Sequence, residues 1–254
     1  MGRLVPTADD LRPVAVGGAL RCSGAAVELR RHLVHYSAAT EVLTGGSIEE
    51  VVVRVVVFGA TGKTGSHVCR VAVEQGHQVT AFGRSVERLD HAGLDIHKGD
   101  VFDADSVAEA VVAHEGAIVC LGSTGLRDTS TLSTGTKAVV DAMVEHDAER
   151  LVVMSAAGVG ESWQQIPLSS KVLFRTMLRR VLADHEAQEA VVRQSPLDWT
   201  IVRPAVLKDD PGTGSYVATN SGSITKITRA DVAACLVDQL DKPDFSRQSI
   251  SVTN

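Results

Sequence analysis

Gly59, Gly62 and Gly65 are spaced G-x-x-G-x-x-G in the turn Gly59-Ala60-Thr61-Gly62-Lys63-Thr64-Gly65. The run ahead of it, Val51-Val52-Val53-Arg54-Val55-Val56-Val57-Phe58, is almost continuously β-branched. Such a run reads as a strand buried on both faces, as in a parallel sheet. Behind the turn, residues 66–75 read as a helix closed by Gly76, and residues 78–82 as a second strand. Strand, turn, helix and strand make one βαβ unit. In that setting the glycines permit a tight turn and let the backbone approach a pyrophosphate. The helix N-terminus then offers free N–H groups and a favourable dipole to the phosphates. The turn is therefore predicted to hold the phosphates of a dinucleotide, with a plain structural turn as the alternative. Gly62-Lys63-Thr64 imitates the end of a P-loop, but that motif requires glycine where Val57 stands inside the strand. An ATP or GTP site fails on spacing.

The alternation continues along the chain. Strands are expected at 94–97, 117–121, 151–154 and 199–203, with helices at 106–114, 134–145 and roughly 171–193 between them. Asp103 or Asp105 should cap the helix at 106. Short strands at 224–227 and 249–252 flank a helix at 229–240. Strand and helix in this repetition predict an α/β fold, a Rossmann-type doubly wound parallel sheet with a small C-terminal substrate region. Residues 51–254 are expected to form that one domain. Residues 1–50 show no clean period. They read first as a disordered or loosely docked extension, second as a start placed too early, and last as a targeting peptide. Arg3, Arg12, Arg21, Arg30 and Arg31 favour targeting, while Asp9, Asp10 and Glu28 oppose it.

Composition removes several classes of function. Hydrophobic residues at 44% supply a full core, and no apolar run reaches the length of a membrane span. A net charge of -6 and aromatics at 4% argue against a nucleic-acid surface, which needs clustered cations and stacking rings. Cys22, Cys69, Cys120 and Cys235 are scattered without a CxxC pair, so neither a metal site nor a disulfide framework is expected. Reduced, buried thiols fit a reducing compartment, and a cytoplasmic monomer or small homo-oligomer is the expectation.

The second strand ends in Phe82-Gly83-Arg84-Ser85-Val86-Glu87-Arg88. An acid at that end would hold the ribose 2'-hydroxyl of NAD. Arg84 stands there instead, with Arg88 one turn on, and a guanidinium can pair with a 2'-phosphate. NADP(H) is thus favoured over NAD(H), although Arg88 reads better as a solvated surface charge. Asp100, after the third strand, either meets the adenine edge or caps the next turn.

The glycine turn, Gly83-Arg84-Ser85, Gly99-Asp100-Val101, Leu121-Gly122-Ser123, Met154-Ser155-Ala156 and Asp198-Trp199-Thr200-Ile201-Val202-Arg203-Pro204 together resemble the atypical short-chain dehydrogenases of the NAD(P)H-binding, NmrA-like group. Within that group the likeness is to the biliverdin IXβ reductases, also called flavin reductases, and residues 211–216 and 227–232 share it. It covers about residues 52–254. The resemblance implies NADPH-dependent hydride transfer to a flat conjugated small-molecule electron acceptor such as a flavin, quinone or tetrapyrrole. It places Thr61, Lys63, Thr64, Val101, Leu121, Gly122, Ser123, Ser155 and Pro204 with the glycines, Arg84, Arg88 and Asp100 against the cofactor.

Ordinary members use Tyr-x-x-x-Lys, but Tyr36 and Tyr216 are followed four residues on by Thr40 and Asn220. Ser155 matches a family serine near the nicotinamide, where it orients substrate, relays a proton or merely caps the strand. Relatives carry a histidine after the sixth-strand proline; Val206 stands there instead, which weakens tetrapyrrole reduction in particular. His185 lies where relatives often bear a lysine and is a candidate proton donor, with a structural role as the alternative. Trp163 either lines a lid or packs. The readings are a reductase first, a non-catalytic NADP(H) sensor of the NmrA type second, and a sugar-nucleotide isomerase or dehydratase third. The short region after the sixth strand leaves little room for a sugar-nucleotide lobe.

Overall fold

In a computed structural model of the protein, the described residues are 52–123, 125, 130–166, 171, 178–221, 223–241 and 244–254. The predicted N-terminal extension, Tyr36 and Cys22 lie outside them. The first βαβ unit consists of β1 (Arg54–Phe58), α1 (Lys63–Glu74) and β2 (Gln78–Gly83). Next come β3 (Leu94–Lys98), α2 (Ala104–Val111), β4 (Gly116–Val119), α3 (Thr131–Glu145) and β5 (Arg150–Met154). The chain continues through α4 (Arg179–Gln194), β6 (Asp198–Pro204), β7 (Val206–Lys208), β8 (Val217–Thr219), β9 (Lys226–Thr228), α5 (Arg229–Asp241) and β10 (Gln248–Thr253).

Among the described residues the main sheet runs β3-β2-β1-β4-β5-β6-β10-β8, parallel throughout except for the antiparallel edge strand β8. The β-branched run explains why β1 lies at its centre. Val55 and Val57 face a core shared with Val68, Cys69 and Ala72 of α1 and Leu236 of α5. Val56 and Phe58 face the opposite core, with Val107 of α2, Leu132 and Met143 of α3 and Val192 of α4. A strand buried on both faces needs apolar side chains at successive positions. The strand order reverses direction between β1 and β4, and a crevice opens there at the carboxyl ends.

The ends of the elements differ from the expectations in instructive places. Helix α1 begins at Lys63, not residue 66, because Gly62 already has the extended N-cap conformation and the second half of the glycine turn is helical. Helix α2 stops at Val111, short of the expected 114, where Ala113 takes a positive φ of 66°. Asp103 is its cap, accepting from Ser106 N–H at 3.4 Å. Helix α3 has no side-chain cap of its own; Asp184 of α4 accepts from the N–H groups of Leu132 (2.9 Å) and Ser133 (3.1 Å). Strands β7 and β8 were not foreseen. They are three residues each, too short to show alternation, and among the described residues β7 pairs with β9 alone in a small separate ladder. Residues 172–177 of the expected long helix lie outside the described residues.

Candidate functional site

The carboxyl ends of β1, β4, β5 and β6 converge on two cavities. The larger, about 890 Å³, is lined by Gly62, Lys63 and Thr64 from the turn, Leu121 to Ser123 behind β4, Ser155 behind β5, His185 of α4 and Pro204 of β6. The smaller, 190 Å³, is lined by Gly59, Thr61 and Gly62, then Phe82 and Arg84 at the end of β2, and Asp100 and Val101 behind β3. Gly62, Cys120, Leu121 and Gly122 line both, so the turn and the end of β4 are their common wall. Among the cofactor-binding and catalytic residues predicted from the sequence, Gly65 and Arg88 line neither. Gly65 lies beneath the turn, packed on Gly59. Arg88 is exposed in the short 3-10 turn Val86–Arg88.

The turn is closed by Gly62 N–H donating to the Gly59 carbonyl at 2.9 Å. Gly59 has a φ of +80°, and a Cβ there would come within 2.5 Å of the Cys120 carbonyl oxygen, so β4 approaches the turn as closely as a glycine allows. Because α1 has no side-chain cap, its leading N–H groups remain for a ligand at the cavity wall. Lys63 reaches out to Asp209 at 2.8 Å, and Asp209 also pairs with Arg229 at 2.7 Å. Lys63 and Arg229 both line the larger cavity, so Asp209 links two cations at its mouth.

At the smaller cavity, Arg84 is exposed and makes no ion pair among the described residues. Asp100 does cap its turn, its Oδ1 accepting from Phe102 N–H at 3.1 Å, and it lines the cavity as well. Gly99 of the Gly99-Asp100-Val101 motif forms part of the wall, together with Phe82, which carried no sequence signal for a site. A Cβ on Gly99 would fall 2.6 Å from the Phe82 ring, so glycine in Gly99-Asp100-Val101 lets the end of β3 close over that ring.

In the larger cavity, Ser155 is buried, and its Oγ donates to Glu189 Oε1 at 2.7 Å. Glu189 is fully buried on α4. It also receives Arg203 Nε at 2.9 Å and Nη2 at 2.7 Å, and Arg193 Nη2 at 3.0 Å. Burial opposes the charge on Arg203, but hydrogen bonds and charge from Glu189, then Glu161, outweigh it and raise its pKa. Neither Glu189 nor Arg203 was chosen from the sequence. The available signal was an arginine inside a strand buried on both faces, which requires a buried carboxylate nearby.

His185 lines the cavity with its Nδ1 against Gln188 Oε1 at 3.1 Å; the Gln188 amide is oriented by donating to Thr136 Oγ1 at 3.0 Å. That arrangement puts the neutral ring's proton on Nδ1 and leaves Nε2 a lone pair. Burial pulls the His185 pKa below the ordinary histidine value. Val206 lines the cavity and is exposed, with no histidine in its place. Trp163 does not line either cavity; its ring lies 5.7 Å from Lys171 Nζ. Tyr216 is turned into the core, donating to Asp238 Oδ2 at 2.7 Å. Burial raises its pKa far above the ordinary tyrosine value. The thiols of Cys69, Cys120 and Cys235 are buried and free, and burial pushes Cys69 up to about 12. Among the described residues no group of side chains is placed to hold a metal ion, and no helix is long and apolar enough to cross a membrane.

The family described as NAD(P)H-binding matches residues 59–243. An uncharacterized chloroplastic protein of Arabidopsis thaliana is 32% identical over 71% of this chain and 70% of its own length. The 2-alkyl-3-oxoalkanoate reductase of Stenotrophomonas maltophilia is 32% identical over 58% of this chain and 51% of its own length. Among solved structures, the anaerobilin reductase ChuY of Escherichia coli O157:H7 superposes with a TM-score of 0.67 at 25% identity, covering 79% of this chain and 96% of that one. A short-chain dehydrogenase/reductase of Veillonella parvula in complex with NADP gives a TM-score of 0.67 at 21% identity, over 80% of this chain and 95% of that one; this likeness bears on the fold alone.

Proposed function

The chain belongs to the NAD(P)H-binding family, and on that premise we propose that it is an atypical short-chain reductase that uses NADPH to reduce a flat conjugated small molecule, such as a flavin, a quinone or a tetrapyrrole-like compound. The observation that carries this reading is the 890 Å³ cavity, which begins at the phosphate-type turn and continues over Ser155 and His185 between mostly apolar walls. Its volume lies at the upper end for small-ligand sites, ample for a nicotinamide end and a second flat molecule. The likeness to the Stenotrophomonas 2-alkyl-3-oxoalkanoate reductase and the Escherichia anaerobilin reductase supports the same class of chemistry.

The residues present suit a nicotinamide dinucleotide. Only backbone without a Cβ fits where Gly59 and Gly65 meet Cys120 and Gly59, and the uncapped start of α1 accepts anionic oxygens. Arg84, exposed beside the smaller cavity, suits a 2'-phosphate and favours NADPH over NADH. Asp100 and Phe82 suit the adenosine end. The cofactor, when bound, supplies the hydride. The chain's part is to fix the two reactants face to face and to keep bulk water from the reacting carbon with the apolar walls of Met154, Leu182 and Leu207. His185, when protonated, holds a proton at the cavity wall, and it is the lining group whose ordinary pKa lies nearest neutrality. A flavin or quinone, which also takes its proton from water, suits a site with Val206 in place of a histidine better than a tetrapyrrole does.

The placement of Tyr216 in the core, away from both cavities, favours a second reading, a non-catalytic NADP(H) sensor. One assay separates the two. NADPH oxidation is followed at the nicotinamide absorbance band with FMN, riboflavin, a quinone and biliverdin, with NADH in parallel. Turnover with any flat acceptor, faster with NADPH, supports the reductase. Tight NADPH binding without turnover on any acceptor overturns it in favour of the sensor.

A further inference from the structure

We infer that Glu189 is a positioning residue of this site: by holding the hydroxyl proton of Ser155 it presents Ser155 to the cavity as a hydrogen-bond acceptor, so the ligand group seated there is an N–H or O–H donor rather than a carbonyl. The inference rests on the proposed ligand site but not on turnover.

A serine hydroxyl has one proton to give and two lone pairs. In Ser155 the proton is directed at a buried carboxylate oxygen 2.7 Å away. Hydrogen bonds to charged acceptors are roughly twice as strong as those between neutral groups, so a ligand carbonyl competes poorly for that proton. The carboxylate itself is fixed. Arg203 holds both of its oxygens, Arg193 holds Oε2, and Glu161 holds Arg203 from the other side at 3.1 Å. Glu189 therefore has little freedom to release Ser155. His185 adds a second acceptor on the same wall, because its Nδ1–H is engaged by Gln188 and its Nε2 carries the lone pair. Ser155 and His185 thus both offer lone pairs to a cavity whose other lining near them is apolar. A ligand donor placed on Ser155 meets a lone pair there, whereas a ligand acceptor would face lone pair against lone pair and stay unsatisfied.

Two sources supply such a donor: the carboxamide N–H of the nicotinamide, or a ring N–H or hydroxyl of the electron acceptor. Equilibrium binding separates them. In one arm, NADP+ is compared with its 3-acetylpyridine analogue, which keeps the carbonyl and lacks the N–H. In the other, riboflavin is compared with N3-methylriboflavin in the presence of NADP+. The expected result is a preference of about tenfold in Kd for the N–H member in one arm, the worth of a good hydrogen bond. Ser155→Ala brings that ratio close to one, and Glu189→Gln lowers it because an amide can turn its own N–H toward Ser155. A purely structural Glu189–Arg203 pair would weaken both members of each pair equally and leave the ratio unchanged. Should Glu189→Gln fail to fold, the wild-type and Ser155→Ala ratios decide. Equal binding of both members in both arms, or a preference that survives Ser155→Ala, overturns the inference. Failure of the reductase reading shows separately, as absence of turnover.

Discussion

Gly65 packs so closely on Gly59 that a Cβ at Gly65 would lie 2.2 Å from the Gly59 carbonyl oxygen. The contact is backbone on backbone, so no side chain can rotate away to relieve it. Gly65→Ala is therefore expected to push the start of α1 off the turn. The expected loss is on the order of 2 kcal/mol of stability, with NADPH affinity falling by more than tenfold as the leading N–H groups of α1 are displaced. Thermal melting and fluorescence titration of NADPH check both. Unchanged affinity would mean that the turn does not carry the phosphates.

Arg84 is exposed beside the smaller cavity and makes no ion pair among the described residues, so its removal leaves no buried partner behind. Arg84→Ala is expected to weaken NADPH by roughly tenfold to a hundredfold, the value of a charged hydrogen-bonded pair, and to leave NADH nearly unchanged. Arg88→Ala should do little, since Arg88 lines neither cavity. Paired titrations of the two nucleotides with each variant test the assignment. Equal loss of both nucleotides would count against it.

What the sequence revealed was local or periodic. The glycine turn follows a β-branched strand directly, and the apolar residues of β1 alternate between two cores whose helices follow in order. Asp103 stands next to the helix it caps. What remained hidden depends on pairing across the chain. Asp184 caps a helix through Leu132, 52 positions before it, Lys63 meets Asp209 across 146 positions, and Ser155 finds Glu189 across 34. No spacing rule links such partners. Arg203 was visible as a charge within an apolar strand, but its partner became identifiable only once α4 was seen to lie over β5 and β6. The start of α1 departs from the expected residue 66 for a related reason: the glycine spacing marks the whole seven-residue turn, but its last three residues are already helical.

Asp231 anchors the loop at residues 211–216 to α5. Its carboxylate accepts from the N–H groups of Thr213 and Gly214, the hydroxyls of Thr213 and Thr228, and Asn254 Nδ2. Burial raises its pKa, but the Thr213 backbone bond, then the Thr228, Thr213 and Asn254 side chains, outweigh it and leave the value below normal. A carboxyl with a depressed folded pKa adds stability above its unfolded value of about 4, and that contribution is lost as pH falls through the folded value. Asp231→Ala should cost about 3 kcal/mol at neutral pH, because the buried Thr228 hydroxyl and the part-buried N–H groups of Thr213 and Gly214 all lose one charged acceptor. The deficit should shrink below about pH 4, where the wild type loses the same contribution. Denaturant melts at several pH values check the size and the direction.

His185, like Asp231, has a lowered pKa in the folded protein. Burial is the main cause of its lowered pKa; the Gln188 hydrogen bond and the charges of Glu189 and Asp184 pull upward and do not overcome it. The folded protein therefore holds the ring neutral at pH 7. Its contribution to stability is complete above the unfolded value of about 6.5 and is lost as pH falls below that toward the folded pKa. Proton delivery through His185 has the opposite preference, since only the protonated ring can give one up. Thermal stability should then decline as pH falls from about 6.5 toward the folded pKa, and the rate with a saturating flavin should rise as pH falls on through that lower value. His185→Gln should flatten both profiles, because glutamine does not titrate. A pH–rate profile that is identical in wild type and His185→Gln would show that the proton comes from water, with His185 left as a binding contact.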